Sequence, residues 1–179
     1  RIAANLFHWQ DLRLYLMQPY AKSVQNYLNL KNILRPYLYA LLIAGIDLYT
    51  KFLIRSNNIQ ENIIIDNFLT IDLTYNTGIA FGLFSEYTLI TYFFSVVVFS
   101  WLIFQFRNVE QNTLEFYSLV LILGGAIGNL GERGWNLIFN NNGKVTDFVE
   151  LLFIPSFNLA DTYITFGICF LLFSEIKNK

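Results

Sequence analysis

A bilayer's hydrocarbon core takes about 20 helical residues. Four runs of this chain are apolar for about that long: Leu34–Ile54, Thr88–Phe106, Thr113–Leu130 and Phe157–Phe173. The second holds no charge, while the others carry ionisable residues. Between the first and second runs, Ile63–Leu73 is β-branched and partly alternating. That pattern predicts short strands, in a small β element over residues 60–85. Between the third and fourth, Asn140, Asn141, Asn142 and Gly143 signal a turn. Ahead of the first run, residues 1–32 carry apolar positions at helical spacing, interrupted near Pro19. An amphipathic helix on the cytoplasmic face and a partly ordered extension fit that segment equally well. The pattern therefore predicts an α-helical membrane protein with four transmembrane helices and a small extracytoplasmic β element. It divides into an N-terminal extension, 1–32, and a four-helix domain, 33–176.

Composition agrees with a bilayer as solvent. Hydrophobic residues make up 55% of the 179, mean hydropathy is +0.43 and only 14% are charged. Soluble domains carry about 25% charged residues, so disordered chains and ordinary soluble enzymes are excluded. With four spans both termini share one side. That side holds Arg1, Arg13, Lys22, Lys31, Arg35, Arg107, Lys177 and Lys179, against Lys51, Arg55, Arg133 and Lys144 on the other. The excess makes the termini cytoplasmic. A net charge of −1 leaves no nucleic-acid footprint. Cys169 is the one cysteine and His8 the one histidine, so no disulfide within the chain and no CxxC metal knuckle exist. A Ser-His or Cys-His nucleophile would have to use His8.

Carboxylates in apolar sequence are costly, and they mark function. Asp161 lies in the fourth run and Asp147 in KVTDFVELLF, both at the outer end of the bundle. Each has a bland explanation. Asp161 could sit in the first helical turn behind an Asn158 cap, and Asp147 could be a solvated loop acid just before a strand. Taken together, two neighbouring carboxyls hold one proton between them. The ionised member can activate water, while the protonated one polarises a carbonyl and later protonates the leaving amine. Asn129 and Arg133 share a helical face near the same end, and Arg133 could hold a substrate carbonyl or snorkel. Asp47 and Lys51, spaced i,i+4, read as a structural pair. Gly124, Gly125, Ala126 and Gly128 form a small-residue face for close helix packing. Asn76, Gly78, Ala80 and Gly82, in NTGIAFG, read as a backbone bend with a polar side chain facing the site.

DLYTK, NTGIAFG, GGAIGNLGER, VTDF and FNLAD occur in that order, across about residues 40–172. In this the chain resembles the lipoprotein signal peptidases, the type II signal peptidase family of aspartyl intramembrane proteases. The resemblance implies an endopeptidase that removes the signal peptide from prolipoproteins just before a diacylglyceryl-modified cysteine. It implies Asp147 and Asp161 as the catalytic pair and Asn76, Asn129, Arg133 and Asn158 as substrate-binding residues. Asp47, Lys51, Gly78 and Gly125 would give structural support. It further implies the bacterial cytoplasmic (inner) membrane, an active site at its outer face, and no metal or cofactor. The partners expected are a lipid-modified prolipoprotein and membrane lipids, with no nucleic acid, around a monomer. Two departures stand out: Glu132 replaces the usual Asp before Arg133, and the GWNLIFNNN segment after it is longer than is common. With the N-terminal extension, these leave an alternative, a catalytically divergent scaffold or assembly subunit of the same fold.

Overall fold

The computed structural model describes residues 2–78, 88–106, 108–140 and 142–177. Helix α1 covers Ile2–Ser56, followed by strands β1 (Asn62–Ile65) and β2 (Leu69–Asn76) and helices α2 (Thr88–Gln105) and α3 (Leu114–Phe139). Strands β3 (Val145–Leu151) and β4 (Ile154–Phe157) then lead into α4 (Leu159–Lys177). The four helices are each long and apolar enough to cross a membrane. Arg1–Arg35 and Pro36–Lys179 form two compact units, and every candidate site residue belongs to the second.

Three expectations need correction. Helix α1 runs through Pro19 without the interruption expected there. Helix α3 does not stop near Leu130 but continues to Phe139, so most of the GWNLIFNNN segment is helix and not loop. Its own signals explain the length. Thr113 caps its start, accepting a hydrogen bond from the Phe116 amide at 3.1 Å, and Asn140 closes its far end. The β element is also larger than expected, because β3 and β4 complete an antiparallel sheet in the order β1-β2-β3-β4.

Helix α3 is the centre of the bundle and buries more of itself than the other three. Ala40 of α1 and Leu102 of α2 pack with its Leu119, Ile122 and Leu123. The glycine face lets its backbone come close to both neighbours. A Cβ at Gly125 would strike the Ala160 carbonyl of α4, and one at Gly124 would strike Ile43 of α1. The sheet sits on the end of the bundle where α1 and α3 finish. Residues outside the core keep large apolar side chains exposed, among them Phe52, Phe93, Trp101 and Phe173. A membrane-spanning surface has that character.

Candidate functional site

Two structural joints bring the carboxylates together. In the first, β2 and β3 pair so that Thr74 faces Asp147 and Asn76 faces Val145. Asp147 therefore lies inside β3, not in a loop before a strand, and Asn76 reaches its carboxylate. In the second, β3 folds back on β4 with Val149 opposite Phe157. The turn is closed by Leu152 in a left-handed conformation, φ 54°. The chain then enters α4 at Asn158, which lies beside the middle of β3.

Asn158 joins both acids. Its side-chain Nδ2 donates to Asp147 Oδ1 at 2.6 Å and to the Thr146 carbonyl at 3.2 Å. Its Oδ1 accepts from the Asp161 amide at 3.0 Å, while its own amide donates to Asp161 Oδ2 at 3.2 Å. The last two bonds form a reciprocal cap at the start of α4. The bland account of Asp161 is thus correct as far as it goes, and the same residue also stands beside Asp147. Asn129, on α3, donates from Nδ2 to the other oxygen, Asp161 Oδ1, at 2.8 Å. Its Oδ1 accepts from Lys51 Nζ at 2.7 Å. A lysine ammonium only donates, so the amide of Asn129 can face only one way.

Asp147 is buried, with 2% of its surface exposed. Burial, and then the charge of Asp161, push its pKa up from 3.8 to about 7, against the hydrogen bonds from Asn158 and Asn76. The pair thus presents one carboxyl that still holds a proton near neutrality.

A charged network supports the pair from below. Lys51, fully buried, meets Asp47 Oδ2 at 2.8 Å and Glu132 Oε2 at 3.2 Å. Asp47 Oδ1 accepts the Ala160 amide at 2.9 Å, so α1 holds the first turn of α4 directly. Glu132 also accepts from the Thr146 hydroxyl at 2.6 Å and from its amide at 3.2 Å, and it pairs with Arg55. Arg55 Nη1 donates to the Thr146 hydroxyl at 2.8 Å. Glu132 therefore has a full set of partners on the residue next to Asp147. Arg133 directs its guanidinium to the chain's own carbonyls, Thr77 at 2.8 Å and Gly78 at 2.5 Å. It fixes the bend after Asn76, and Asp147 and Asp161 lie within its electrostatic reach. Asn76 Oδ1 accepts the Gly78 amide at 2.8 Å, which completes that bend. Ala80 and Gly82 lie outside the described residues.

Every proposed catalytic, binding and support residue thus falls in this one region. Sequence reading missed the roles of Arg55 and Thr146. A signal for Arg55 was present: Asp47, Lys51 and Arg55 recur every four residues on one helical stripe, and two cations there call for a second acid. Nothing in the sequence singles out Thr146.

The chain is 34% identical over 157 residues to the lipoprotein signal peptidase of Bartonella tribocorum, covering 82% of this chain and 89% of that one. To its counterpart in Moorella thermoacetica it is 38% identical over 137 residues, 75% and 87% of the two chains. To that of Francisella tularensis subsp. novicida it is 32% identical over 165 residues, 83% and 98% of the two. A bacterial membrane enzyme solved by the in meso method at 2.3 Å shares the fold, with a TM-score of 0.70 at 23% identity over 80% of this chain and 88% of the other. The family model described as Signal peptidase (SPase) II matches residues 39–177, and the chain belongs to that family.

Proposed function

We propose that Asp147 and Asp161 are the catalytic pair of this signal peptidase II, which cleaves signal peptides from prolipoproteins. One observation carries the assignment: a single residue, Asn158, bonds to both carboxyls, to Asp147 through its side-chain amide and to Asp161 through its backbone N–H. Burial and the charge of Asp161 raise the Asp147 pKa to about 7. Asp161, as carboxylate, takes a proton from water, and the resulting hydroxide attacks the scissile carbonyl carbon. The Asp147 proton meets the carbonyl oxygen as negative charge develops on it. In the second half the proton on Asp161 passes to the leaving amine, the C–N bond breaks, and the new carboxyl product returns a proton to the pair. One water is consumed and no redox change occurs.

Asn129 and Asn158 orient the two acids. Arg133 and Asn76 hold the bend against which the extended substrate would lie. The scissile bond would precede a diacylglyceryl-modified cysteine, with the lipid tails in the bilayer beside the bundle. The site would face outward from the bacterial inner membrane. The scaffold alternative is not favoured, because the family match spans residues 39–177 and the chain keeps both Asp147 and Asp161.

The test uses the full chain in bilayer nanodiscs and a lipid-modified precursor. Asp147→Asn and Asp161→Asn should each abolish cleavage while leaving the unfolding midpoint within a few degrees of wild type. Turnover near the wild-type rate by either variant overturns the assignment.

A further inference from the structure

Helix α3 has two working faces. At 100° per residue, Asn129 and Arg133 point one way, toward the acids. Gly131, Trp135 and Ile138 point the other way. Two cavities meet at this second face, the larger reaching round α3 past Glu132 and Asn136. One, of about 650 Å³, is bounded by Arg55, Tyr75, Trp135, Asn136 and Lys144, among others. The other, of about 340 Å³, is apolar and runs between α2 and α3, past Phe99, Ile127 and Leu130. Gly131 and Trp135 border both. A Cβ at Gly131 would meet nothing within 4 Å, so the two cavities adjoin over a bare stretch of helix.

The upper cavity has the chemistry of an anion site with an aromatic rim. Lys144 is exposed and lies over the Tyr75 ring, 5.6 Å from its centroid. Among the described residues, the bonds from Arg55 to Glu132 and Thr146 run through Nη1 alone, leaving further guanidinium donors on a side chain that is 35% exposed. Of the charged residues that line the cavity, Glu132 is offset by Arg55, and Lys51 by Asp47 behind it, so Lys144 leaves the cavity net positive. Trp135 stands at the junction, 62% exposed, with its ring against Phe139. Tryptophan is the residue that settles where headgroups meet acyl chains. A free anion would use only the upper cavity, and a bare acyl chain only the lower.

We propose that this face binds one anionic glycerophospholipid, its phosphate between Arg55 and Lys144 and one acyl chain in the α2–α3 groove. Neither Asp147 nor Asp161 borders either cavity, so this is not the place where the substrate is cut. It is nonetheless joined to that pair through Glu132 and Thr146, which bond to Arg55 on one side and adjoin Asp147 on the other.

The test is binding, independent of peptidase activity. In a Trp9→Phe, Trp101→Phe background, Trp135 is the one tryptophan. Its quenching is measured in nanodiscs containing phosphatidylglycerol or phosphatidylcholine with tail-brominated chains. Each cation contributes about fivefold, so phosphatidylglycerol should quench at a mole fraction at least about tenfold lower. Lys144→Gln should reduce the ratio about fivefold, and Lys144→Glu should abolish it. Gly131→Leu, whose Cβ meets nothing within 4 Å, should fill the junction and weaken quenching by both lipids. Equal quenching by the two lipids overturns the proposal, as does a ratio that survives Lys144→Glu. Inorganic phosphate that removes the preference at matched ionic strength overturns it too, because the ligand would then be the free anion.

Discussion

Asp147 decides how the site responds to pH. In the proposed reaction its proton goes to the carbonyl oxygen, and burial and Asp161 raise its pKa to about 7. Cleavage should therefore fall as pH rises through about 7, with a limb that burial and Asp161 have moved up from the usual carboxylate range. Rate measured against pH checks this, and a flat profile from 6 to 9 would remove Asp147 as the acid. The same shift bears on stability. A carboxyl whose folded pKa is raised contributes stability that is fully present below 3.8 and lost as pH rises through about 7. Unfolding midpoints should drop across that window in wild type and less so in Asp147→Asn. Lys51 has a different kind of importance. Removing its charge, as in Lys51→Met, leaves Asp47 and Glu132 buried with less compensation, a loss of about 3–5 kcal/mol. It also frees the Asn129 amide to turn over, so activity should fall further than stability. Denaturant unfolding and turnover, measured on the same variant, separate the two losses. The two Asp residues could be found in the sequence because a carboxylate in an apolar run is conspicuous. Thr146 could not, since a threonine beside a strand aspartate is ordinary, and its meaning comes only from Glu132 across the fold.

At the scale of elements, packing decided what pattern could not. Hydropathy falls after Leu130, yet α3 continues, because Glu132 is buried against α1 and the sheet, Arg133 against the bend after β2 and Gly134 against Tyr92 of α2, and none is exposed to water. A polar stretch that is fully partnered looks like a loop when read one residue at a time. Strand β3 was obscured in the same way: Val145–Phe148 is buried throughout, so it shows no alternation. The glycine face was plain from its spacing, and the structure says what it does. Gly125 lets α3 touch the α4 backbone at Ala160, one residue before Asp161. Gly125→Val should therefore push the first turn of α4 away, costing about 1–3 kcal/mol in overpacking and a larger share of activity, because it moves Asp161, one of the proposed catalytic pair. Gly45, where a Cβ meets nothing within 4 Å, is the control: Gly45→Ala should keep both. Circular dichroism melts with turnover on the same samples distinguish the pair, and equal effects at the two positions would mean that α4 is not held by this contact.

For the whole molecule, the sheet constrains how the chain crosses the membrane. Strand β2 follows α1, and β3 follows α3, yet they pair along most of their length. The connection after α1 and the connection after α3 must therefore lie on one side, which requires α2 and α3 to make one round trip between them. Helices α1 and α4 then run from that side to the other, so the end of α4 lies opposite the sheet. Pairing in the sheet thus reaches the same relative sidedness as the four-span reading, by an independent route, while the choice of which side is cytoplasmic rests on the lysine and arginine count alone. On the orientation expected from the charge count, the sheet with Asp147 on β3 would be the part of the chain outside the cytoplasm. In a Cys169→Ala background, cysteines placed at Asn142 and at Lys177 should behave oppositely toward a membrane-impermeant maleimide added to intact spheroplasts. Asn142→Cys, beside the start of β3, should label at once. Lys177→Cys, at the end of α4, should label only after the membrane is permeabilised. A third position, Ile64→Cys on the edge strand β1, should follow Asn142, because the sheet holds both on one face. Labelling of Ile64→Cys and Asn142→Cys from opposite sides would contradict the sheet itself. Labelling of Ile64→Cys and Asn142→Cys only from the inside, with Lys177→Cys labelled from the outside, would keep the sheet but invert the molecule, and would place the proposed catalytic pair on the cytoplasmic face.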